Sequence, residues 1–328
     1  MEANAQTITT MGIISNEVYN NNKAIVDYFK DEYDVNGNKI IKFINGTTYK
    51  VLDHTPASNQ GFNALLLQDT STGNYVIAFR GTQEDFDIAD DVIIGLQNHS
   101  YEFEAAKVWV DTILKTKDKG YDVTTANLTL TGHSLGGILT QAVGAVYQIP
   151  GYAFNPYGVE RLLSMPSTPI LPNLLLDFLA GAVSAGIYKV LSAFGVESSY
   201  ASWAKDNILN ISYVDDGMLK GDPLSNMATD LTSKQLGDVL QIWGVDRGAG
   251  AHRMPNLNTA IQHYNEVLRH FSNTTYQTLT DVYTLTGYDH TEQVFNDLNI
   301  YSGSNLTFDL LINRPTAWLN DRSLPNLR

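Results

Sequence analysis

Apolar residues recur along the chain in two alternating patterns. Short runs rich in β-branched and apolar residues are typical of strands, and longer stretches with apolar positions three or four residues apart are typical of helices. The predicted strands are Lys39–Ile44, Thr48–Leu52, Phe62–Gln68, Tyr75–Phe79, Ala126–Thr131, Tyr152–Phe154 and Ile208–Val214. The predicted helices are Ser15–Glu32, Glu102–Lys115, Gly136–Tyr147 and Pro255–Phe271. This alternation predicts an α/β fold, with a mostly parallel central sheet covered by helices on both faces.

The last part of the chain differs from the rest. Ser272–Arg328 is polar and rich in turn-forming residues, and it lacks the composition of an independent core. We therefore expect a main α/β domain over residues 1–271, and an extension over residues 272–328 that packs on this domain or leads into a longer chain.

Composition narrows the range of functions. The net charge of −14 argues against nucleic acid as a partner and against electrostatic capture by strongly anionic membranes. The absence of cysteine excludes disulfides, a cysteine nucleophile and thiolate metal sites. Met1–Gln6 has neither a basic nor an apolar region and does not resemble a Sec signal peptide. We expect a chain that is secreted without such a signal, or one that stays in the cytoplasm.

A serine between two glycines follows the predicted strand Ala126–Thr131. In Gly132–Gly137 the sequence Gly-His-Ser-Leu-Gly-Gly matches Gly-x-Ser-x-Gly, the nucleophile elbow of serine hydrolases. The motif alone also fits a serine that caps a helix. The strand before it and the small-residue helix after it are the context that a nucleophile needs, so Ser134 is the predicted nucleophile.

A serine nucleophile needs a base, and in the α/β-hydrolase order the base follows it along the chain. His252 lies in a glycine-rich segment that we expect to be a flexible loop, and it is the predicted base. His263 and His270 are expected on the surface of a helix, and His290 lies in the polar extension. His133 beside the serine is expected to point away from the hydroxyl and to pack.

The remaining parts of the site are an acid and two oxyanion donors. Asp215, Asp216 and Asp222 all follow the strand Ile208–Val214, and the residues alone do not separate them. One oxyanion donor is expected to be the backbone N–H of Leu135. The other is expected from Thr82, which follows the strand Tyr75–Phe79 and a glycine.

The segment of about 160–206 contains a strongly apolar insert, Ile170–Gly195. Its charge-free run between Asp177 and Lys189 holds 11 residues, fewer than the roughly 20 that span a bilayer. It fits a buried helix, a lid over an acyl-binding groove, or an interfacial anchor. Its position between the elbow and the acid favours the lid.

Four segments make the chain resemble the class 3 lipases, an α/β-hydrolase family that includes fungal triacylglycerol lipases and bacterial enzymes of the phospholipase A1 type. They are Val76–Thr82, Thr131–Gly137, Tyr152–Pro156 and Gly221–Ser225. The resemblance runs from about Phe62 to Asn258.

The resemblance implies a triad of Ser134, Asp222 and His252, with Thr82 and Leu135 in the oxyanion hole. It favours Asp222 over the two other aspartates. In the fungal members the lid follows the oxyanion loop, which here corresponds to Asp85–Asn98, so this segment is a second lid candidate.

These observations predict a serine hydrolase of lipid acyl esters, working at a lipid–water interface with no cofactor and no metal. A triacylglycerol lipase, with possible phospholipase A1 activity, is the first expectation. The alternatives are a phospholipase A1 that acts mainly on glycerophospholipids as a secreted, membrane-damaging effector, and a catalytically silent module that binds lipid.

Overall fold

The computed structural model describes residues 4–19, 40–42, 48–55, 63–81, 88–116, 119–159, 199–214, 235–244, 246, 249–270 and 275–286. Within these residues one eight-stranded sheet runs in chain order from β1 to β8. The strands are β1 Ile40–Lys42, β2 Thr48–His54, β3 Ala64–Asp69, β4 Tyr75–Phe79, β5 Leu128–His133, β6 Gly151–Phe154, β7 Ile208–Val214 and β8 Asp238–Trp243. The helices are α1 Ala5–Glu17, α2 Ile88–Lys115, α3 Leu135–Tyr147, α4 Ser199–Asn207, α5 Ala249–His252, α6 Met254–His270 and α7 Tyr276–Thr286.

The sheet changes direction at β4. Strands β1 to β4 pair antiparallel, whereas β4 to β8 pair parallel. Parallel neighbours need a crossover, and α2 and α3 supply those that follow β4 and β5. The predicted α/β-hydrolase fold, with a mostly parallel sheet between helices, is confirmed.

Helices cover both faces of the sheet because its central strands are apolar on both sides. Along β4, Val76 and Ala78 belong to one core, which α1, α6 and α7 share. Tyr75, Ile77 and Phe79 alternate with them and belong to a second core, shared by α2, α3 and α4. This two-residue period is the pleat of the strand, and all five side chains are buried.

The first helix differs from the prediction. It spans Ala5–Glu17 rather than Ser15–Glu32, and the Asn4 side chain caps it by accepting from the N–H groups of Gln6 and Thr7. Ile8, Met11 and Ile14 recur at three-residue spacing and are buried, so this face is fixed by packing on the sheet. Residues 20–32 lie outside the described part of the chain.

Strand β8 was missed in the sequence because its pattern is only half apolar. Leu240 and Ile242 are buried, whereas Asp238, Val239 and Gln241 are exposed, as expected for the last strand of the described sheet. Helix α2 also begins earlier than the predicted Glu102, at Ile88.

Helix α7 brings part of the polar extension into the core. Tyr276, Leu279, Val282 and Tyr283 are buried on its inner face. The Thr280 hydroxyl donates to the backbone carbonyl of Gln241 in β8. Residues after 271 therefore contribute to the same hydrophobic core as the sheet.

The apolar insert Ile170–Gly195 lies outside the described residues, and only its C-terminal continuation, α4, is seen. Of the other lid candidate, Asp85–Asn98, residues 88–98 form the start of α2. Within the described part of the chain, no helix combines the length and apolar character needed to cross a membrane.

Candidate active site

Ser134 is the single residue between strand β5 and helix α3. Its backbone has φ 56° and ψ −121°, a left-handed conformation that is unfavourable for a residue with a β-carbon. The surrounding structure holds it there, since its N–H donates to the carbonyl of Phe154 on the neighbouring strand. The strand–turn–helix context predicted around Ser134 is present.

Two glycines let the elbow approach strand β4. A β-carbon on Gly132 would lie 2.4 Å from the carbonyl carbon and oxygen of Gly136. A β-carbon on Gly136 would lie 2.2 Å from the carbonyl oxygen of Phe79. Real β-carbons do not come so close to backbone atoms, so the turn requires glycine at both positions.

The hydroxyl of Ser134 does not cap the helix that follows it. As the N-cap residue of α3 it makes no side-chain capping bond. Its Oγ instead lies 2.9 Å from Nε2 of His252. The capping serine that the motif alone allowed is therefore excluded, and the hydroxyl has an imidazole within hydrogen-bond reach.

His252 ends α5, a single helical turn, rather than lying in the flexible loop that the glycines suggested. Its ring has two aromatic neighbours. The centroid of the His133 ring is 4.9 Å away, and the Tyr157 ring stacks at 6.1 Å with planes only 15° apart. Both rings lie beside the imidazole, whose Nε2 is within hydrogen-bond reach of Ser134 Oγ.

The backbone of His252 is held as well. Its carbonyl oxygen accepts from Nε2 of His133 at 2.6 Å and from Nδ2 of Asn155 at 3.1 Å. Asn155 is fully buried, and its Oδ1 accepts from the N–H of Tyr213 at 2.8 Å. The sequence alone assigned no role to Asn155, and this link between the sheet and the base was missed.

Helix α3 starts directly after the nucleophile. Leu135 is its first residue, so position alone leaves the Leu135 N–H without an intrahelical acceptor, at the positive end of the helix dipole. The other expected donor, Thr82, lies outside the described residues. Its neighbour Gly81 passes close to the elbow, because a β-carbon there would lie 2.6 Å from the carbonyl oxygen of His133.

The three candidate acids, Asp215, Asp216 and Asp222, lie outside the described residues, which stop after β7 at Val214. His263, which was expected on the surface of its helix, is half-buried. Its Nε2 is 2.8 Å from the hydroxyl of the buried Tyr283, because α7 covers that side of α6.

His270 ends α6, and His290 lies outside the described part of the chain. Among the side chains that the structure describes, no three metal-ligating groups come together.

Comparisons with known proteins find similarity to a phospholipase-like family model and to a protein named as a lipase. A family model described as a Tle-like phospholipase domain matches residues 10–168, which include the elbow. A protein of Debaryomyces hansenii named "Putative lipase ATG15" is 45% identical over 58 residues, which cover 17% of this chain and only 9% of that protein.

The chain is also similar, at low identity, to solved structures of lipases. A fungal lipase structure is 14% identical, with a TM-score of 0.43, over 77% of this chain and 87% of that one. A triacylglycerol lipase from Penicillium expansum is 14% identical, with a TM-score of 0.38, over 75% of this chain and 82% of that one.

Proposed function

We propose that this lipase-like carboxylic ester hydrolase cleaves acyl esters of membrane glycerophospholipids through a covalent acyl-enzyme on Ser134. The observation that carries the proposal is the 2.9 Å distance between Ser134 Oγ and His252 Nε2 at a strained elbow. A nucleophilic hydroxyl within hydrogen-bond reach of an imidazole is the arrangement that acyl transfer requires.

In the first half of the reaction, Ser134 Oγ attacks the ester carbonyl carbon while Nε2 of His252 takes the hydroxyl proton. The carbonyl oxygen becomes an oxyanion, which the backbone N–H groups of Leu135 and Thr82 stabilise. The tetrahedral intermediate then expels the alcohol, and His252 gives the proton to it. This leaves the fatty acyl group on Ser134.

In the second half, His252 deprotonates a water molecule that attacks the acyl-enzyme. The intermediate collapses, the proton returns to Ser134 Oγ, and the fatty acid leaves. A carboxylate beside Nδ1 of His252 would hold the ring and stabilise the imidazolium. We assign this role to Asp222 from the resemblance to class 3 lipases, with Asp215 and Asp216 as the alternatives.

Glycerophospholipid comes first among the substrates because the matching family model describes a phospholipase domain. This reverses the order that the sequence alone favoured, in which triacylglycerol came first. The net charge of −14 favours zwitterionic lipid over anionic lipid, since a protein of this charge is repelled by an anionic surface. Triacylglycerol remains the second candidate, on the lipase name of the relative.

Two measurements test the proposal. A fluorophosphonate should label the wild-type protein on Ser134 and leave folded Ser134→Ala unlabelled. Phosphatidylcholine with different acyl chains at sn-1 and sn-2 should release the sn-1 chain faster than emulsified triolein releases oleate. Rapid triolein cleavage with no release from phosphatidylcholine would restore the triacylglycerol assignment, and labelling elsewhere than Ser134 would exclude the mechanism.

A further inference from the structure

We propose that His133 positions the catalytic base, by holding the backbone carbonyl of His252 through its own Nε2–H. This inference rests on the proposed function, in which His252 is the base. It goes beyond the packing role that the sequence suggested for His133, since the side chain is buried but hydrogen-bonded at both ring nitrogens.

The chemistry of the acceptor fixes the tautomer of His133. A backbone carbonyl oxygen can only accept, so the 2.6 Å contact requires a hydrogen on Nε2. In the neutral ring, Nδ1 is then an acceptor, and it faces the Tyr19 hydroxyl at 2.9 Å. The neutral tautomer therefore satisfies both nitrogens and puts no second positive charge beside His252 when His252 is protonated during turnover.

Tyr19 in turn anchors the ring of His133 to the elbow. Its hydroxyl lies 3.1 Å from the His133 carbonyl oxygen and beside Gly81, which precedes the expected oxyanion donor. Burial raises the pKa of Tyr19 well above its ordinary value, so the hydroxyl stays protonated and available as a donor. The single hydrogen of this hydroxyl is shared between Nδ1 and the carbonyl oxygen of His133, which are both acceptors in the neutral tautomer, so Tyr19 ties the His133 ring to the elbow strand.

As a consequence, the position of the base relative to the nucleophile is fixed by a direct contact. His133 and Ser134 are neighbours at the end of β5, so the residue beside the nucleophile holds the residue that carries the base. Asn155 from β6 holds the same carbonyl from a second side. A misplacement of about 1 Å between reacting groups can cost roughly 100-fold in rate, so loss of this link should slow acylation.

The principal test compares His133→Leu, which keeps apolar packing, with His133→Gln, whose amide nitrogen can replace the Nε2 donor. With p-nitrophenyl butyrate we expect His133→Leu to lower kcat by about 10- to 100-fold with KM nearly unchanged. His133→Gln should recover most of the loss. Wild-type kcat in His133→Leu, or a loss that Gln does not relieve, would overturn the proposal.

His263 provides a matched control, because it makes the same kind of bond to a tyrosine, Tyr283, within the α6–α7 pair. His263→Leu should lower the melting temperature and leave kcat unchanged. If His133→Leu does not fold, Tyr19→Phe compared with Tyr283→Phe takes its place. A fall in kcat specific to Tyr19→Phe supports the link, and equal kcat in the two variants contradicts it.

Nitrogen NMR of the wild-type histidines separates failure of this inference from failure of the proposed function. Hydrogen on Nε2 of His133 is required whether or not the protein hydrolyses esters. An active enzyme with the Nδ1–H tautomer of His133 would overturn the inference alone. The Nε2–H tautomer in a protein that neither hydrolyses esters nor labels on Ser134 would overturn the proposed function and with it the positioning of a base.

Discussion

Nε2 of His252 lies 2.9 Å from Oγ of Ser134, although 118 residues separate the two along the chain. The distance depends on the parallel order of the sheet, which brings the ends of β5, β6 and β7 to one edge. His252 follows β8 along the chain and lies at that edge, where Asn155 and His133 donate hydrogen bonds to its backbone carbonyl.

Ser134→Ala should lower ester turnover by about 10⁶-fold, because the nucleophile is lost while the fold is kept. Ser212→Ala is the matched control. Within the described residues the Ser212 hydroxyl is buried without a hydrogen-bond partner, so its removal should preserve turnover and not lower stability. Near-wild-type turnover in folded Ser134→Ala would refute the assigned nucleophile.

The triad acid can be identified by comparing Asp222→Asn, Asp215→Asn and Asp216→Asn. We expect only Asp222→Asn to lower kcat strongly, by about 10⁴-fold, since an amide stabilises the wrong tautomer of the base. The measurement is kcat with one soluble ester for all three purified variants. If Asp215→Asn or Asp216→Asn lowers kcat by a comparable factor while Asp222→Asn keeps a normal kcat, the affected aspartate is the triad acid instead of Asp222.

Gly136→Ala should destabilise the protein by about 3 kcal/mol, because the new methyl group would overlap the Phe79 carbonyl. The free energy of unfolding in urea measures the effect. Gly250→Ala is the control, since the nearest atom to a β-carbon there is 3.6 Å away. Equal stability of the two variants would mean that the elbow is less tightly packed than described.

Asp53 should make stability depend on pH. Burial alone would raise the pKa of this carboxyl, but hydrogen bonds from Lys119, His54 and Tyr121 outweigh burial and hold the pKa below its ordinary value. A carboxyl whose folded pKa is lowered stabilises the fold above its unfolded pKa of about 3.9, and this contribution disappears as pH falls through the folded pKa.

Asp53→Asn should therefore cost about 0.5–1 kcal/mol at pH 7, a small amount because Lys119 is largely exposed. The difference from wild type should vanish in the most acidic buffers in which both proteins still fold. A stability difference between the two proteins that stays the same from neutral to the most acidic pH would contradict this account.

Leu279→Ala should lower the free energy of unfolding by about 2–5 kcal/mol, as expected for a fully buried leucine. Gln277→Ala, at an exposed position of the same helix, should change it by less than about 0.5 kcal/mol. Equal stability of the two variants would show that α7 does not belong to the core, and would favour an extension that is separate after residue 271.

Local patterns predicted much of the fold. The run Ile208–Val214 was predicted with the bounds that the structure gives, because a strand buried on both faces is mostly apolar, and only Asn210 and Ser212 interrupt its aliphatic and aromatic residues. Strand β8 was missed and helix α1 was misplaced. Each has only one buried face, and the polar residues on its other face obscure the apolar pattern. Their position depends on partners that are distant in sequence.

By itself, the sequence determined the elbow, since the two glycines, the serine and the strand before them are a local pattern with one steric explanation. It also determined the order of strands and helices that makes a parallel sheet. Only the tertiary structure decided that His252 meets Ser134, and that His133 and Asn155 hold the carbonyl of His252. These contacts join residues from separate strands and helices. Hydrogen bonds between residues so far apart along the chain produce no periodic pattern in the sequence.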